Sequence, residues 1–374
     1  MALTIGLMSG TSLDGVDGVL LDQSSAGLRI LAHQHRPFGA VLRDQLLALN
    51  QPGDNELHRA ALAANALVAV GAKVTHALLN EAGLTAADVV AIGSHGQTLR
   101  HRPQAFDGIG YTLQIDNGAL LAELTGIDVV CDFRSADLAA GGQGAPLVPA
   151  FHAALLGVSD SERAVLNLGG IANLTLLRRE GGLLGFDCGP GNMLLDAWIQ
   201  RHQGLAFDAA GAWAGTGQVD ADLLRVLLSE PYFEAKPPKS TGRDLFHSAW
   251  LDRALATAGG NPSPQDVQAT LSELSARGVA DALVAHAPGV DELILCGGGT
   301  RNTDLIARLR RLLPRTAISD TSRFGVAVDQ VEAAAFAWLA LAYVQALPGN
   351  RESVTGARGP RVLGALYRRP PLAR

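Results

Sequence analysis

The chain has 374 residues, long for a single hydrophobic core and about right for two domains. Its 48% apolar content is enough to bury, and its 18% charged content argues against disorder. A net charge of −6 leaves no global field for nucleic acid or anionic lipid. Lys73, Lys236 and Lys239 are the only lysines, and the arginine runs at 100–103 and 309–315 are too short for a nucleic-acid stripe. Cys131, Cys188 and Cys296 form no CxxC pair, and an odd count builds no disulfide framework, so a reducing compartment is expected. The stretch MALTIGLMSG lacks the basic region and cleavage-like end of a signal peptide. The longest apolar run, Ala333 to Val344, has 12 residues, short of a membrane span. A soluble, cytoplasmic protein with neither a nucleic-acid nor a membrane partner is therefore expected.

In chain order, the opening GLMSGTSLDGVDGVLLD (residues 6–22) reads as strand, turn and strand, with Leu28 to Phe38 as a further strand. Arg59 to Gly83 carries apolar residues at spacings of three and four and predicts a long helix that Gly83 terminates. Ala87 to Leu99 reads as a buried strand running into a glycine-bearing loop. Thr112 to Gly126 reads as a loop leading into a helix capped by Asp116 or Asn117. Ile127 to Phe133 is another short strand, and a glycine-rich bridge follows over 134–149. The grammar then restarts. Arg163 to Leu177 repeats strand, small polar turn and strand, and Gly182 to Gln200 adds a strand, a Gly-Pro-Gly loop and a helix. Residues 231–246 read as loop, 266–287 as helix, and 292–309 as strand, glycine turn and helix. This alternation predicts an α/β fold with duplicated strand–turn–strand cores. The expected division is 1–145, with the tail 351–374 returning to it, and 146–350.

No GxxxxGK[ST], strand-borne GxGxxG, HExxH or GxSxG occurs, which excludes P-loop, Rossmann, zincin and α/β-hydrolase chemistry. Three glycine-centred turns remain, each after an apolar strand: SGTSLDG (9–15), NLGGIANL (167–174) and CGGGTRN (296–302). Such turns present rows of backbone N–H groups that can receive phosphate oxygens without a lysine. The first adds hydroxyls and two carboxylates, Asp14 and Asp17, suited to Mg²⁺ through water. The third opens a helix, which favours a nucleoside stacked on glycine backbone.

This set and order resembles the sugar kinase, Hsp70 and actin superfamily, a two-domain actin-like ATPase fold with two phosphate loops and one adenosine loop along an interdomain cleft. The strings MSGTSLDGVD, GSHGQTLRHRP, LNLGGIANLT, FDCGPGN, KSTGRDLF, QATLSELSA and EAAAFAWLA, spread over nearly the whole length, further resemble the anhydro-N-acetylmuramic acid kinase family. That resemblance implies ATP-dependent phosphorylation of O6 of 1,6-anhydro-N-acetylmuramic acid with hydrolytic opening of the anhydro ring. It also implies peptidoglycan recycling, ATP and Mg²⁺ as cofactors, and a homodimer. Another small-molecule sugar kinase of the same superfamily is the alternative.

By the same resemblance Asp187 in FDCGPGN is the catalytic base, with Cys188 standing where the family often has Thr. The nucleotide stretch is Gly10, Thr11, Ser12, Leu13, Asp14, Gly15, Val16 and Asp17, with Asp14 or Asp17 toward the metal. Asn167, Gly169 and Gly170 make the second phosphate loop, and Gly297, Gly298 and Gly299 the adenosine loop. Gln97, Thr98, Arg134 and Glu332 are expected on the sugar, Arg134 toward the lactyl carboxylate. His95 reads as a structural loop histidine.

Overall fold

The computed structural model describes residues 2–10, 12–24, 27–157, 160–242 and 245–371. The chain divides into two compact units, one made of residues 1–155, 324–326 and 330–374, the other of 156–323 and 327–329.

The first unit is built on strands β1 (Leu3–Met8), β2 (Gly15–Ser24), β3 (Gly27–Pro37), β4 (Val89–Ser94) and β7 (Val129–Cys131). Their spatial order is β7-β4-β1-β2-β3, and the C-terminal strand Ala365–Tyr367 extends the β7 edge. β1, β2 and β3 form antiparallel pairs, whereas β4 joins β1 and β7 joins β4 in parallel. The parallel strands therefore end on one edge, and the turn after β1, the loop after β4 and the segment after β7 emerge together. Helices α1 (Ala40–Leu49) and α2 (Glu56–Ala82) cover one face, and Gly83, at φ 65°, ends α2 as the sequence predicts. Among the described residues α2 alone has the length and hydropathy of a membrane span, but more than half of that window is buried, as in a core helix. A two-stranded ribbon, β5 (Gln97–Pro103) with β6 (Gly110–Ile115), stands where a loop was expected at 112–115. The pairing with β5 makes it a strand. Asn117 caps α3 (Gly118–Thr125) by accepting the Leu120 N–H at 3.0 Å.

The other face of this sheet takes the C-terminal helix Val331–Val344. Gly6 on β1 and Gly93 on β4 lie opposite each other in the ladder. A Cβ at Gly6 would fall 1.8 Å from the Ala333 carbonyl oxygen, and one at Gly93 2.0 Å from that of Phe336. The glycine pair lets the helix backbone touch the sheet, where Phe336, Leu339 and Ala340 pack on Ala91 and Val130. This differs from the expected second domain of 146–350. An apolar helix takes its home from the complementary surface, and that surface lies on β1 and β4.

The second unit repeats the plan. β8 (Arg163–Leu168), β9 (Ile171–Leu177), β10 (Leu183–Pro190), β11 (Glu292–Cys296) and β12 (Ala317–Asp320) lie in the order β10-β9-β8-β11-β12. Again three strands pair antiparallel and the last two join in parallel. A five-strand sheet of the same order and directions in each unit is the duplicated core of the actin-like ATPase fold. The helix Pro264–His286 packs on β9 and β10, and its Ala276, Val279, Ala280 and Leu283 fill the core with Leu174 and Phe186.

Candidate active site

In the first unit the sequence after β1 makes a tight hairpin turn. Leu13 adopts φ 56° and buries its side chain, and its N–H meets the Gly10 carbonyl at 3.3 Å. The Ser12 hydroxyl donates to Asp14 Oδ1 at 2.7 Å, which holds that exposed carboxylate over the turn. Leu13 and Val16 belong to the core, and Gly15 lies against the Arg36 carbonyl, so these three can offer a ligand only backbone. Asp17 pairs with His35 at 3.0 Å and His33 at 3.5 Å. Thr11 lies outside the described residues.

The loop after β4 is tied to that turn, because the Ser9 hydroxyl donates to Gln97 Oε1. Gln97 is 1% exposed, so its role in this arrangement is to join two loops. Thr98 Oγ1 accepts from Gln114 at 3.1 Å. Gly96, at φ 70°, lets the chain pass the Ile115 carbonyl, which a Cβ would approach to 2.5 Å. Beneath it the Ser94 hydroxyl donates to Asp116 Oδ2 at 2.6 Å, and burial pushes the Asp116 carboxyl up to about 6.

Arg134 is desolvated and fixed at both ends of its fork. One nitrogen donates to the Gly144 carbonyl at 2.7 Å and the other to His95 Nε2 at 3.0 Å. Accepting there requires His95 to be neutral with its proton on Nδ1, which donates to the Gly96 carbonyl at 2.9 Å. Burial and the neighbouring guanidinium hold the His95 pKa down at about 3. Burial lowers Arg134 to about 10, with Glu332 and Asp137 opposing, so it stays charged at neutral pH. Arg134 Nε has no hydrogen-bond partner among the described residues. Glu332, in the first turn of the C-terminal helix, has its pKa raised by burial, lowered by Arg134 and raised by Asp17. Arg134 and Glu332, with the neutral His95, thus form one polar cluster at the edge where Ser9 and Gln97 meet.

In the second unit three glycine loops are interlocked. The Gly170 carbonyl accepts the N–H groups of Gly191 at 2.9 Å and Met193 at 3.1 Å, and the Gly169 carbonyl accepts that of Asn192 at 2.9 Å. A Cβ at Gly297, φ 85°, would lie 2.3 Å from Asn167 Oδ1, and one at Gly299 2.7 Å from Leu168. Around Gly298 a Cβ would meet nothing within 4 Å, so this position faces open space. Asn167, Gly169, Gly170 and the glycines at 297–299 therefore do come together, as the sequence implies, at the strand ends where ligands bind in open α/β sheets.

Asp187 lies near the end of β10, where the ladder with β9 shifts register before Gly189. Its Oδ2 accepts the Thr241 N–H at 2.9 Å. Its own N–H donates to the Lys239 carbonyl at 3.1 Å, and its carbonyl accepts the Tyr232 hydroxyl at 2.8 Å. Burial pushes the carboxyl up to about 7, against the opposing pull of the Thr241 N–H and the Lys239 charge. A carboxylate poised near neutrality is the expected state of a general base. Tyr232, Lys239 and Thr241 were not predicted as site residues. KSTGRDLF has no periodicity, and its backbone donors leave no trace in side-chain identity.

A family model described as anhydro-N-acetylmuramic acid kinase matches residues 2–369. The anhydro-N-acetylmuramic acid kinase of Cupriavidus metallidurans is 56% identical over 369 residues, covering 98% of this chain and 97% of that protein. That of Cupriavidus pinatubonensis is 58% identical over 367 residues, covering 98% of each. Among solved structures, a ROK family glucokinase from Streptomyces griseus in complex with glucose and AMPPNP is 16% identical. The match has a TM-score of 0.41 and covers 90% of this chain and 99% of that one.

Proposed function

The chain belongs to the anhydro-N-acetylmuramic acid kinase family, a family of sugar kinases, and we propose that it couples phosphoryl transfer to ring opening, with Asp187 as the base. In the reaction, Asp187 takes a proton from water and the resulting hydroxide attacks C1 of 1,6-anhydro-N-acetylmuramic acid. The C1–O6 bond breaks, its electron pair stays on O6, and O6 attacks the γ-phosphorus of ATP as the bond to ADP breaks. The products are N-acetylmuramic acid 6-phosphate and ADP. One base drives both steps because phosphorus takes the place on O6 that a proton from a general acid would otherwise fill.

The observation that carries this reading is a desolvated carboxyl, pushed up to about 7, with one oxygen fixed by Thr241 and joined in the same unit by interlocked glycine loops. Asn167, Gly169, Gly170 and the glycines at 297–299 would seat the nucleotide through backbone. In the first unit Gly10, Ser12, Asp14 and Asp17 would meet its phosphates and metal. Arg134, already fixed by His95 and Gly144, would use its unpartnered Nε face on the lactyl carboxylate. Glu332 and Thr98 would meet the sugar, and Gln97, tied to Ser9, would hold the loop that carries Thr98.

Mg²⁺ suits the donors available in that turn. No cluster of three or more His, Cys, Asp or Glu that could hold a metal occurs among the described residues. An ion that keeps its waters and takes one or two carboxylates plus phosphate oxygens fits Asp14 and Asp17 better than one needing an all-protein cage. When bound, it would neutralise charge on the phosphates. The same reading assigns the protein to peptidoglycan recycling in the cytoplasm as a homodimer, on the strength of family membership.

Turnover in ¹⁸O-labelled water tests the coupling. One labelled oxygen is expected at C1 and none in the phosphoryl group, with no ATP consumed on intact N-acetylmuramic acid. Label in the phosphate, or equal use of the opened sugar, would sink the ring-opening step.

A further inference from the structure

The segment Tyr232 to Thr241, including KST of KSTGRDLF, enters the chemistry above only through the Thr241 N–H, yet it surrounds the base. Three of its residues reach Asp187: Tyr232 through its hydroxyl, Lys239 through its carbonyl and Thr241 through its N–H. What closes this segment on itself is the Lys239 ammonium. Its Nζ donates to the carbonyls of Tyr232 at 3.1 Å and Phe233 at 3.2 Å, and it sits over the Tyr232 ring, 4.7 Å from the centroid. One cation thus joins both ends of the segment, and the Asp187 backbone is held between them.

We propose that Lys239 is a positioning residue for the base: it clips the 232–241 segment around Asp187 and supplies the positive charge beside that carboxylate. The inference rests on Asp187 being the base. It assigns Lys239 no contact with ATP or sugar. Around Asp187, the facing strand β9 contributes Asn173 opposite it, and the segment contributes Tyr232 and Lys239. Cys188 is its chain neighbour, and the helix Pro264–His286 brings His286, which lies against Phe186 and is disfavoured from protonating by burial, Lys239 and Arg178. Tyr232 and Cys188 have their pKa values raised by burial and by Asp187 itself, so neither is ionised at neutral pH. Lys239 is the group whose charge draws the Asp187 pKa down.

The test compares Lys239→Met, Lys239→Gln and Lys239→Arg with the parent enzyme over pH 5.5–9.5, reading kcat/KM and thermal stability. A neighbouring opposite charge lowers a carboxyl pKa by about 1 unit or more, so its loss should move the acidic limb upward by about 1 unit. The Met and Gln variants should lose about 5-fold at pH 7 and less than about 1.5-fold at pH 9, and Arg should restore the limb. Gln keeps a donor for the two carbonyls, so a Gln variant that folds with a shifted limb separates charge from clip. Uniform loss at every pH would overturn the proposal. So would failure of both uncharged variants to fold while Arg folds. Asp187→Asn, run in parallel, separates the two claims. If it keeps turnover, the base assignment fails. If it is inactive and the Lys239 variants keep the parent limb, this inference alone fails.

Discussion

Ionising Asp187 inside its surroundings costs the fold stability, because burial outweighs the Thr241 N–H and the Lys239 charge and leaves its pKa at about 7 against an ordinary 3.8. A carboxyl raised on folding binds its proton more tightly in the native state. The cost is therefore absent below about pH 4, grows as pH rises, and is complete above about pH 7. Asn has no charge to desolvate and can still present an oxygen to the Thr241 N–H. Asp187→Asn should thus lose turnover yet melt higher than the parent at pH 8, by roughly 2–4 kcal/mol in stability, with the gap closing at pH 4. Calorimetry at the two pH values checks it, and a variant less stable at pH 8 would remove the claim that Asp187 is held at a cost. If Asp187 is the base, the same ionisation should set the acidic limb of kcat/KM near pH 7. Asp116, at about 6, is a second buried carboxyl in range, and Asp116→Asn should leave that limb in place.

At the scale of elements, local signals carried well. Gly83 ends α2 in a left-handed conformation and Asn117 caps α3, both because the cue and its effect lie within one turn of helix. The glycine turns were legible as a set, and those at 169–170 and 297–299 do pack together. What stayed hidden depends on residues distant in sequence. Leu13 and Val16 look like loop members in the motif but are core, and Gln97 looks like a ligand group but is tied to Ser9. The hold of residues 232–241 on Asp187 runs through backbone atoms, which carry no residue type. The interlocked loops yield a paired prediction. Gly298→Ala puts its methyl into open space, so the stability should hold within about 0.5 kcal/mol while the KM for ATP rises about 10-fold or more. Gly297→Ala, at φ 85° and against Asn167, should lower stability as well. An unchanged KM in Gly298→Ala would remove the adenosine seat from that loop.

On the scale of the whole molecule, the path of the chain makes the two units unequal. The second unit's sheet and its covering helices come almost entirely from one continuous stretch, 156–323, whereas the first needs both ends of the chain. The C-terminal helix makes its closest backbone approach to the sheet at the glycine pair Gly6 and Gly93, so that contact should be the weak point of the first unit alone. Three buried thiols report on this. Cys131 lies on β7 of the first unit, and Cys188 and Cys296 lie on β10 and β11 of the second. Burial, with Asp116 and Asp132 nearby, pushes the Cys131 thiol up to about 12, and burial with Asp187 nearby raises that of Cys188. Cys296 is 1% exposed, so none of the three should react in the native state at pH 8. Gly93→Ala drives a methyl against the Phe336 carbonyl, an overpacking that costs about 1–3 kcal/mol or more. With a urea dependence of about 2 kcal/mol per molar, the midpoint for Cys131 labelling should fall by about 1 M. Cys188 and Cys296 should keep the parent's midpoint and share it, since their strands belong to one sheet. If all three thiols shift together, the molecule opens as a single cooperative body and the glycine pair secures both units. If Cys131 alone shifts, the first unit can loosen around its C-terminal helix while the sheet that carries Asp187 stays folded.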